Sequence, residues 1–460
     1  MTDSSPDQRS RGVLAGLRIL DAATVWAMPL AAAMLADMGA EVIKVESPDR
    51  PDMRGSEPFE NNEIKDDFYN RSGAYGALNR GKKSLTLNIK KPRGMELYKQ
   101  LISQSDVLFE NNRPGVMKRL GLDYSVLSAL NPRLIQISNS GYGQTGPWAQ
   151  YGAIARGLEP TTGVSSLTGY RGGPPESAHL TDYPTAMMGV FATLAALRSR
   201  RRTGRGQRID LCMYEIGVSL LGSTMMEYTV NGRVPARNGN RHRVFAPQGC
   251  YRCDGDDRWV VLSIRNDDEW LALCSAIGRP DLARDERFRS VSGRHEHHDA
   301  IDQIITSWTE SRQPRQVMDL LQAAGIPAAA VLDPRDIYQD PQLHRRRFWQ
   351  LVGDDESSVG SKPYALGGWR MSATPPRIPL PPANMGQHNT EILTSLLSVH
   401  PDEFSALEAD GVIGIQPAQR GYRPRLFSTV EQVKEGRWHA HDPGFSEHLE
   451  DAFREEAAEG

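Results

Sequence analysis

The chain has 460 residues, 39% of them hydrophobic and 24% charged, with a formal net charge of -3. That balance suits a globular protein with sizeable cores and excludes the basic surface of a nucleic-acid or anionic-membrane binder. No apolar run reaches bilayer-spanning length, residues 1–11 lack the apolar core of an export signal, and the four cysteines (Cys212, Cys250, Cys253, Cys274) are too few for a disulfide scaffold and suit a reducing cytoplasm.

Residues 1–11 are polar and are expected to be a disordered start. Leu17 to Asp21 reads as a strand, Pro29 to Met38 as an Ala-rich helix stopped by Gly39, and Glu41 to Glu46 as the next strand. This spacing argues for a parallel pair with a helical crossover. The turn from Thr24 to Pro29 holds no glycine, so the dinucleotide-binding fingerprint is absent. Residues 47–80 are polar and Gly/Pro-punctuated, and a loop of that length is functional or disordered. The alternation resumes with a strand over Ser84–Ile89, a helix over Pro92–Ser103, a strand over Asp106–Glu110, a short helix over Val126–Leu130 and a strand over Leu134–Ser138. The pattern is that of an α/β domain with a largely parallel sheet.

The segment Gly172 to Gln207 holds the principal candidate. Gly172, Gly173, Pro174 and Pro175 mark a turn. Pro184 suits a first helical turn, and Met187, Met188, Val190, Phe191, Leu194, Ala195 and Leu197 are expected to fill a buried helix face. Arg198 to Arg202 place positive charge at the end of that helix. Asp182 therefore falls at or near a helix start, either as an ordinary N-cap or as a carboxylate held ionised. Arg208–Met213 reads as a further strand. The character then shifts, with a strand over Trp259–Ser263, helices over Asp267–Ile277 and His298–Thr309, and a strand over Ala328–Leu332. Cys250 and Cys253 form one C-x-x-C without a second pair, and both are expected to be structural. The expected organisation is a large domain over 12–224, a small domain over 225–330, a linker and return to the large domain over 331–413, and an acidic-ended, mobile extension over 414–460.

Several segments in order resemble the class III coenzyme A transferases, the family of formyl-CoA and carnitine-CoA transferases. They are GLRILDAATVWAMP, GAEVIKVESP, NRGKKSLTLNIKKPRG, SDVLFENNRPGVMKRLGLDY, NPRLIQISNSGYGQTGP, the TTG and GGPP turns before Asp182, RTGRGQRID and GIPAAAVLDPRDIYQDPQL, spread over residues 14–413. The resemblance implies an α/β fold. A Rossmann-like large domain is built from both chain ends with a smaller α/β domain between them, and two ring-like chains interlock as a homodimer. It implies Asp182 as nucleophile, and coenzyme A contacts at Trp26, Ala27, Leu87, Lys90, Asn111, Asn112, Arg113, Arg119, Ser140, Gly141 and Tyr142. The substrates are then an acyl-CoA and a free carboxylic acid, with no metal and no further cofactor.

The residues are consistent with that chemistry. Coenzyme A carries three phosphate groups, and Lys90, Arg113 and Arg119 follow expected strands, where α/β folds bind ligands. The cluster Arg80, Lys82, Lys83, Lys90 and Lys91 is either part of that surface or a bare solvated face. Gly141, Gly143 and the glycines near Gly172 could supply oxyanion-binding N–H groups. Trp26 stands where oxalate-using formyl-CoA transferases carry glutamine, and residues 238–249 lack their glycine-rich loop, which argues against oxalate or formate. Ser47 and Ser140 stand where relatives can carry basic residues. Arg241 and Arg243 suggest a second substrate carboxylate. Two alternatives stay open: an α-methylacyl-CoA racemase-like enzyme, for which residues 152–157 supply no histidine and His179 or His242 would have to substitute, and a non-catalytic acyl-CoA-binding subunit.

Overall fold

The computed structural model describes residues 12–177, 180–354, 358–418 and 426–458. These form two compact units. The first holds residues 12–163, 180–222, 341–354, 358–418 and 426–458, and the second holds 164–177 and 223–340. Residues 164–177, expected in the large domain, pack with the second unit.

The first unit is organised on six parallel strands: β1 Arg18–Asp21, β2 Glu41–Glu46, β3 Lys82–Thr86, β4 Val107–Glu110, β5 Ile135–Ser140 and β6 Arg208–Cys212. Their order is β3-β2-β1-β4-β5-β6, the doubly wound arrangement whose direction reverses between β1 and β4. The helices are α1 Ala27–Asp37, α2 Gly73–Asn79, α3 Pro92–Ser103, α4 Val116–Arg119, α5 Tyr124–Leu130 and α6 Ala155–Thr162. Val164–Leu167 forms α7 in the second unit, and α8 Asp182–Thr203 and α9 Met213–Ser219 follow in the first.

Strand alternation divides the core between two faces. Ile19, Val42, Val107, Phe109, Ile135 and Ile137 pack beneath α1 and α8. Leu20, Ile43, Leu85 and Leu108 pack beneath α3 and α5, together with Ile392 and Leu393 of the returning helix Asn389–Ser395. The two helices α1 and α8 cross closely because Gly189 has no side chain. A Cβ there would lie 2.9 Å from Met28 Cε and 3.6 Å from Ala31 Cβ.

Residues 47–80 are not an unstructured loop. They contain three short 3-10 turns and α2, whose first turn is capped by the Ser72 hydroxyl accepting the Tyr75 N–H at 3.1 Å. The segment is anchored by Arg54, fully buried, whose guanidinium forms two bonds with Glu46 at 2.8 and 2.9 Å and donates to Tyr75 Oη at 2.6 Å and Ala383 O at 3.2 Å. Polar composition hid this order because the anchoring groups are themselves polar.

The extension after 413 likewise carries structure. Helices Thr429–Lys434 and Phe445–Ala458 form, Phe453 is buried with its ring 5.0 Å from His344, and Asn62 donates to Phe427 O at 2.7 Å. The return segment includes the antiparallel pair Trp349–Val352 and Lys362–Ala365.

In the second unit, Gln248–Arg252, Trp259–Ser263 and Ala328–Ala330 make an antiparallel sheet over a core containing Trp270, Leu273, Phe288 and Ile301. Cys253 and Cys274 belong to that core, and burial pushes both thiols up to about 11. Among the described residues no helix is long and apolar enough to cross a membrane.

Candidate active site

The sheet is parallel, so the loops after its strands gather at one edge. That edge holds Trp26 and Ala27 after β1, Leu87 and Lys90 after β3, Asn111, Asn112 and Arg113 after β4, and Gly141 and Tyr142 after β5, with Ser140 closing that strand. α8 leads into β6 and therefore starts at the same edge, with Asp182 as its first residue. The N-cap is Thr181, in helical conformation and without a side-chain cap bond, so the ordinary N-cap reading of Asp182 is corrected: it is half-buried and stands inside the first turn. Next to it, the Tyr183 ring meets Trp26 edge-on, with 6.3 Å between centroids. The loop after β1, at the switch point, is thereby brought to the helix start.

The approach to Asp182 is built from buried polar contacts. Glu159, fully buried on α6, accepts the Leu180 N–H at 2.7 Å. Thr181 is fully buried, and Gly217 of α9 lies so close that a Cβ there would overlap Thr162 and come within 3.3 Å of Thr181. Glu159 escaped the sequence reading. Its only signal was an acidic residue two positions before the TTG turn.

Several of the side chains expected at this edge have partners within the protein. Leu87 is buried within the core, so its side chain shapes the edge from beneath. Asn111 clamps the β1–α1 turn: its Oδ1 accepts the Thr24 N–H at 2.9 Å and its Nδ2 donates to Thr24 O at 2.7 Å. Asn112 donates to Glu110 at 3.2 Å. Of the basic cluster, Arg80 is buried against Asp37, Lys82 is buried and donates to Asp21 at 2.6 Å, and Lys83 bridges Glu41 and Glu391. Lys90 and Lys91 remain at the surface, as do Arg113 and Arg119. Burial, opposed by Asp21, leaves the Lys82 ammonium lowered to about 8.

Arg113 and Asn112 also line a cavity of about 230 Å³ on the α5 face of the sheet, with Lys118, Gln136, Gln144 and Arg208. Gln136 is 1% exposed, and its Oε1 finds no hydrogen-bond donor among the described residues.

After β5, Gly141 is required by a close approach, because a Cβ there would overlap Ala153 Cβ. Tyr142 anchors a group of rings with Trp148, Tyr151 and Tyr214 at centroid distances of 5.7 to 6.2 Å.

In the second unit, Arg241 is paired with Asp299 and Asp302 and Arg243 with Glu227, so neither stands as a free anion-binding group. His242 Nδ1 accepts the N–H groups of Val244 and Phe245 at 3.1 Å, and its ring stacks on Phe245, a loop-forming role. His179 lies outside the described residues. Among the described residues no cluster of three or more His, Cys, Asp or Glu could hold a metal ion.

Residues 14–389 match the profile described as CoA-transferase family III. The chain belongs to this family. Several of its relatives are named as CoA-transferases. It is 35% identical over 416 residues to the succinyl-CoA–L-malate CoA-transferase beta subunit of Chloroflexus aurantiacus, covering 87% of this chain and 98% of the relative. It is 34% identical over 395 residues to the succinate–glutarate CoA-transferase of Agrobacterium fabrum, covering 84% and 96%. Among solved structures, a CAIB/BAIF family protein from Brucella suis matches with a TM-score of 0.77 at 29% identity, over 84% of this chain and all of that one. The doubly wound sheet of this CoA-transferase family member is thus shared with an experimentally determined relative.

Proposed function

We propose that this protein moves coenzyme A from an acyl-CoA donor to a free carboxylic acid, with Asp182 as the covalent nucleophile. The observation that supports it is the half-buried Asp182 carboxylate in the first turn of α8, beside Tyr183 and Trp26 at the carboxyl edge of the sheet. A helix N-terminus favours an anion there, and an aspartate is ionised at neutral pH and needs no base. It attacks the thioester carbonyl, the C–S bond breaks, and the products are an aspartyl–acyl anhydride and the CoA thiolate. The thiolate attacks the aspartyl carbonyl and releases the donor acid, leaving an aspartyl-CoA thioester. The acceptor carboxylate attacks that thioester, and the freed thiolate takes the acceptor acyl group from the second anhydride, which regenerates Asp182. The cycle balances without a further cofactor. Water would hydrolyse each intermediate, so the bound thioester must be shielded.

Exposed Lys90, Arg113 and Arg119 would receive phosphates. Trp26, Ala27, Asn112, Ser140, Gly141 and Tyr142 would line the pantetheine path, with Leu87 and Asn111 holding it in shape. Several relatives are named for succinate or succinyl-CoA, which supports the CoA ester of a dicarboxylic acid as the donor class. We further propose a homodimer. α8 exposes Tyr183, Met187, Phe191 and Leu194 along one side, an apolar stripe of the kind interfaces cover.

The test combines trapping and substitution. With succinyl-CoA and hydroxylamine, peptide mass spectrometry should find a hydroxamate at Asp182. Asp182→Ala should lower transfer by roughly a thousandfold or more while CoA still binds. Transfer by Asp182→Ala at the wild-type rate would end the covalent scheme. Deuterium wash-in at the α-carbon without an acceptor acid would favour proton transfer instead.

A further inference from the structure

Val25 has the least comfortable backbone of the β1–α1 turn. Its φ is +71°, in the left-handed region, where a β-branched residue is a genuine outlier. Packing does not impose this, since Val25 is 55% exposed. Polar partners do. Asp52 Oδ1 accepts the Val25 N–H at 2.9 Å, Asn111 holds Thr24 from both sides, and Lys44 Nζ donates to Ala23 O. Asp52 has a second attachment, because its Oδ2 accepts from Lys44 Nζ at 2.9 Å. Both of these side chains are buried, and Lys44 lies 3.9 Å from buried Asp21, whose other oxygen accepts the Ala23 N–H. A chain of buried charges thus rises from β1 and β2 and ends on one backbone amide. Strain kept in place by such surroundings marks a segment whose position matters. The next residue is Trp26, whose ring meets Tyr183 beside Asp182.

We propose that Asp52 is a positioning residue: through the Val25 N–H it locks the β1–α1 turn left-handed and so sets Trp26 and the first turn of α1 against the start of α8. The inference rests on the reading of this edge as an acyl-CoA site. Asp52 itself touches no substrate.

The test is a set of four proteins assayed for KM and kcat with succinyl-CoA: wild type, Asp52→Ala, Val25→Gly and the double variant. Glycine adopts positive φ about as readily as negative φ, so Val25→Gly makes the lock dispensable. Asp52→Ala is expected to raise KM roughly tenfold, the population ratio implied by the steric cost of a left-handed β-branched residue, with kcat within about twofold. Val25→Gly alone stays near wild type, and adding it to Asp52→Ala returns KM to within about threefold. If Asp52 served only as the counter-ion of Lys44, Val25→Gly would restore nothing, and that result overturns the proposal. Should Asp52→Ala fail to fold, Asp52→Asn takes its place: its one oxygen cannot serve both the Val25 N–H and the Lys44 ammonium, so KM is expected to rise and Val25→Gly to return it to within about threefold. A rise in KM that Val25→Gly leaves unchanged overturns the proposal too. A wild-type protein that neither binds nor transfers CoA removes the acyl-CoA reading and this inference with it. Wild-type transfer without rescue overturns this inference alone.

Discussion

Replacing Arg54 by methionine should remove about 3 kcal/mol from the stability of the first unit. The guanidinium is fully buried and makes a two-point ion pair with Glu46, bonds to Tyr75 Oη and Ala383 O, and a cation–π contact with the Tyr75 ring at 3.8 Å. Breaking one partner of a buried pair costs about 3–5 kcal/mol, because the other charge is left without compensation. The lower end applies here. Burial pushes the Glu46 carboxyl up, but Arg54 and then Lys44 hold it below its ordinary value, and Lys44 remains in the variant. Methionine fills much of the vacated volume, so the cavity contribution is small. The assay is urea unfolding followed by circular dichroism for wild type, Arg54→Met, Glu46→Gln and the double variant. The double variant should be more stable than the sum of the single losses, since neither charge is stranded in it. Acidification supplies a second check. Without Arg54 the folded-state pKa of Glu46 rises above its unfolded value, so the folded state binds the extra proton and the deficit shrinks as pH falls. A deficit below about 1 kcal/mol, or strict additivity, would refute the reasoning.

The remaining predictions concern pH and assembly. Burial, opposed by Arg80, raises the Asp37 carboxyl to about 6. A raised acid pKa means the folded state binds the proton more readily, so this group adds stability as pH falls through 6. Wild type should therefore gain about 1 kcal/mol on Asp37→Asn between pH 7 and pH 5, read as a converging or crossing pair of Tm curves, and a pH-independent Tm difference would refute it. Phe191, 68% exposed on α8, should be central to the proposed self-association. Phe191→Arg should shift sedimentation from a dimer toward the 51.0 kDa monomer, and a variant that sediments like wild type would refute that role.

The sheet was legible because its signals are local. Glu41–Glu46, Pro92–Ser103, Trp259–Ser263 and His298–Thr309 match the spans expected from alternation, N1 proline and apolar runs. The expected Val126–Leu130 helix starts two residues earlier, at Tyr124, because the Asp123 side chain accepts the Ser125 N–H. Residues 47–80 and the extension were less legible because part of their order comes from partners far along the chain. Arg54 finds Ala383, Asn62 finds Phe427, and Phe453 finds His344. No periodicity within either segment could announce contacts made a hundred or more residues away.

α8 was legible as a helix, but which of its faces is buried was misread. Its apolar residues were expected to form one buried face, yet Met187, Met188, Phe191, Leu194 and Ala195 are exposed, while Thr185, Ala186, Gly189, Thr193 and Ala196 are buried with Val190 and Leu197. A hydrophobicity pattern ranks Met and Phe as interior. Close crossing against α1 selects by size instead, and only the small residues permit the approach at Met28 and Ala31. That crossing brings Tyr183 to Trp26 and fixes where Asp182 can stand. The same selection by size turns the large apolar side chains outward along the helix that begins with the proposed nucleophile. If a second copy covers that stripe, the partner's surface packs against the helix carrying Asp182. Loss of dimer in Phe191→Arg should then be accompanied by loss of transfer, whereas full activity in a monomeric variant would separate assembly from catalysis.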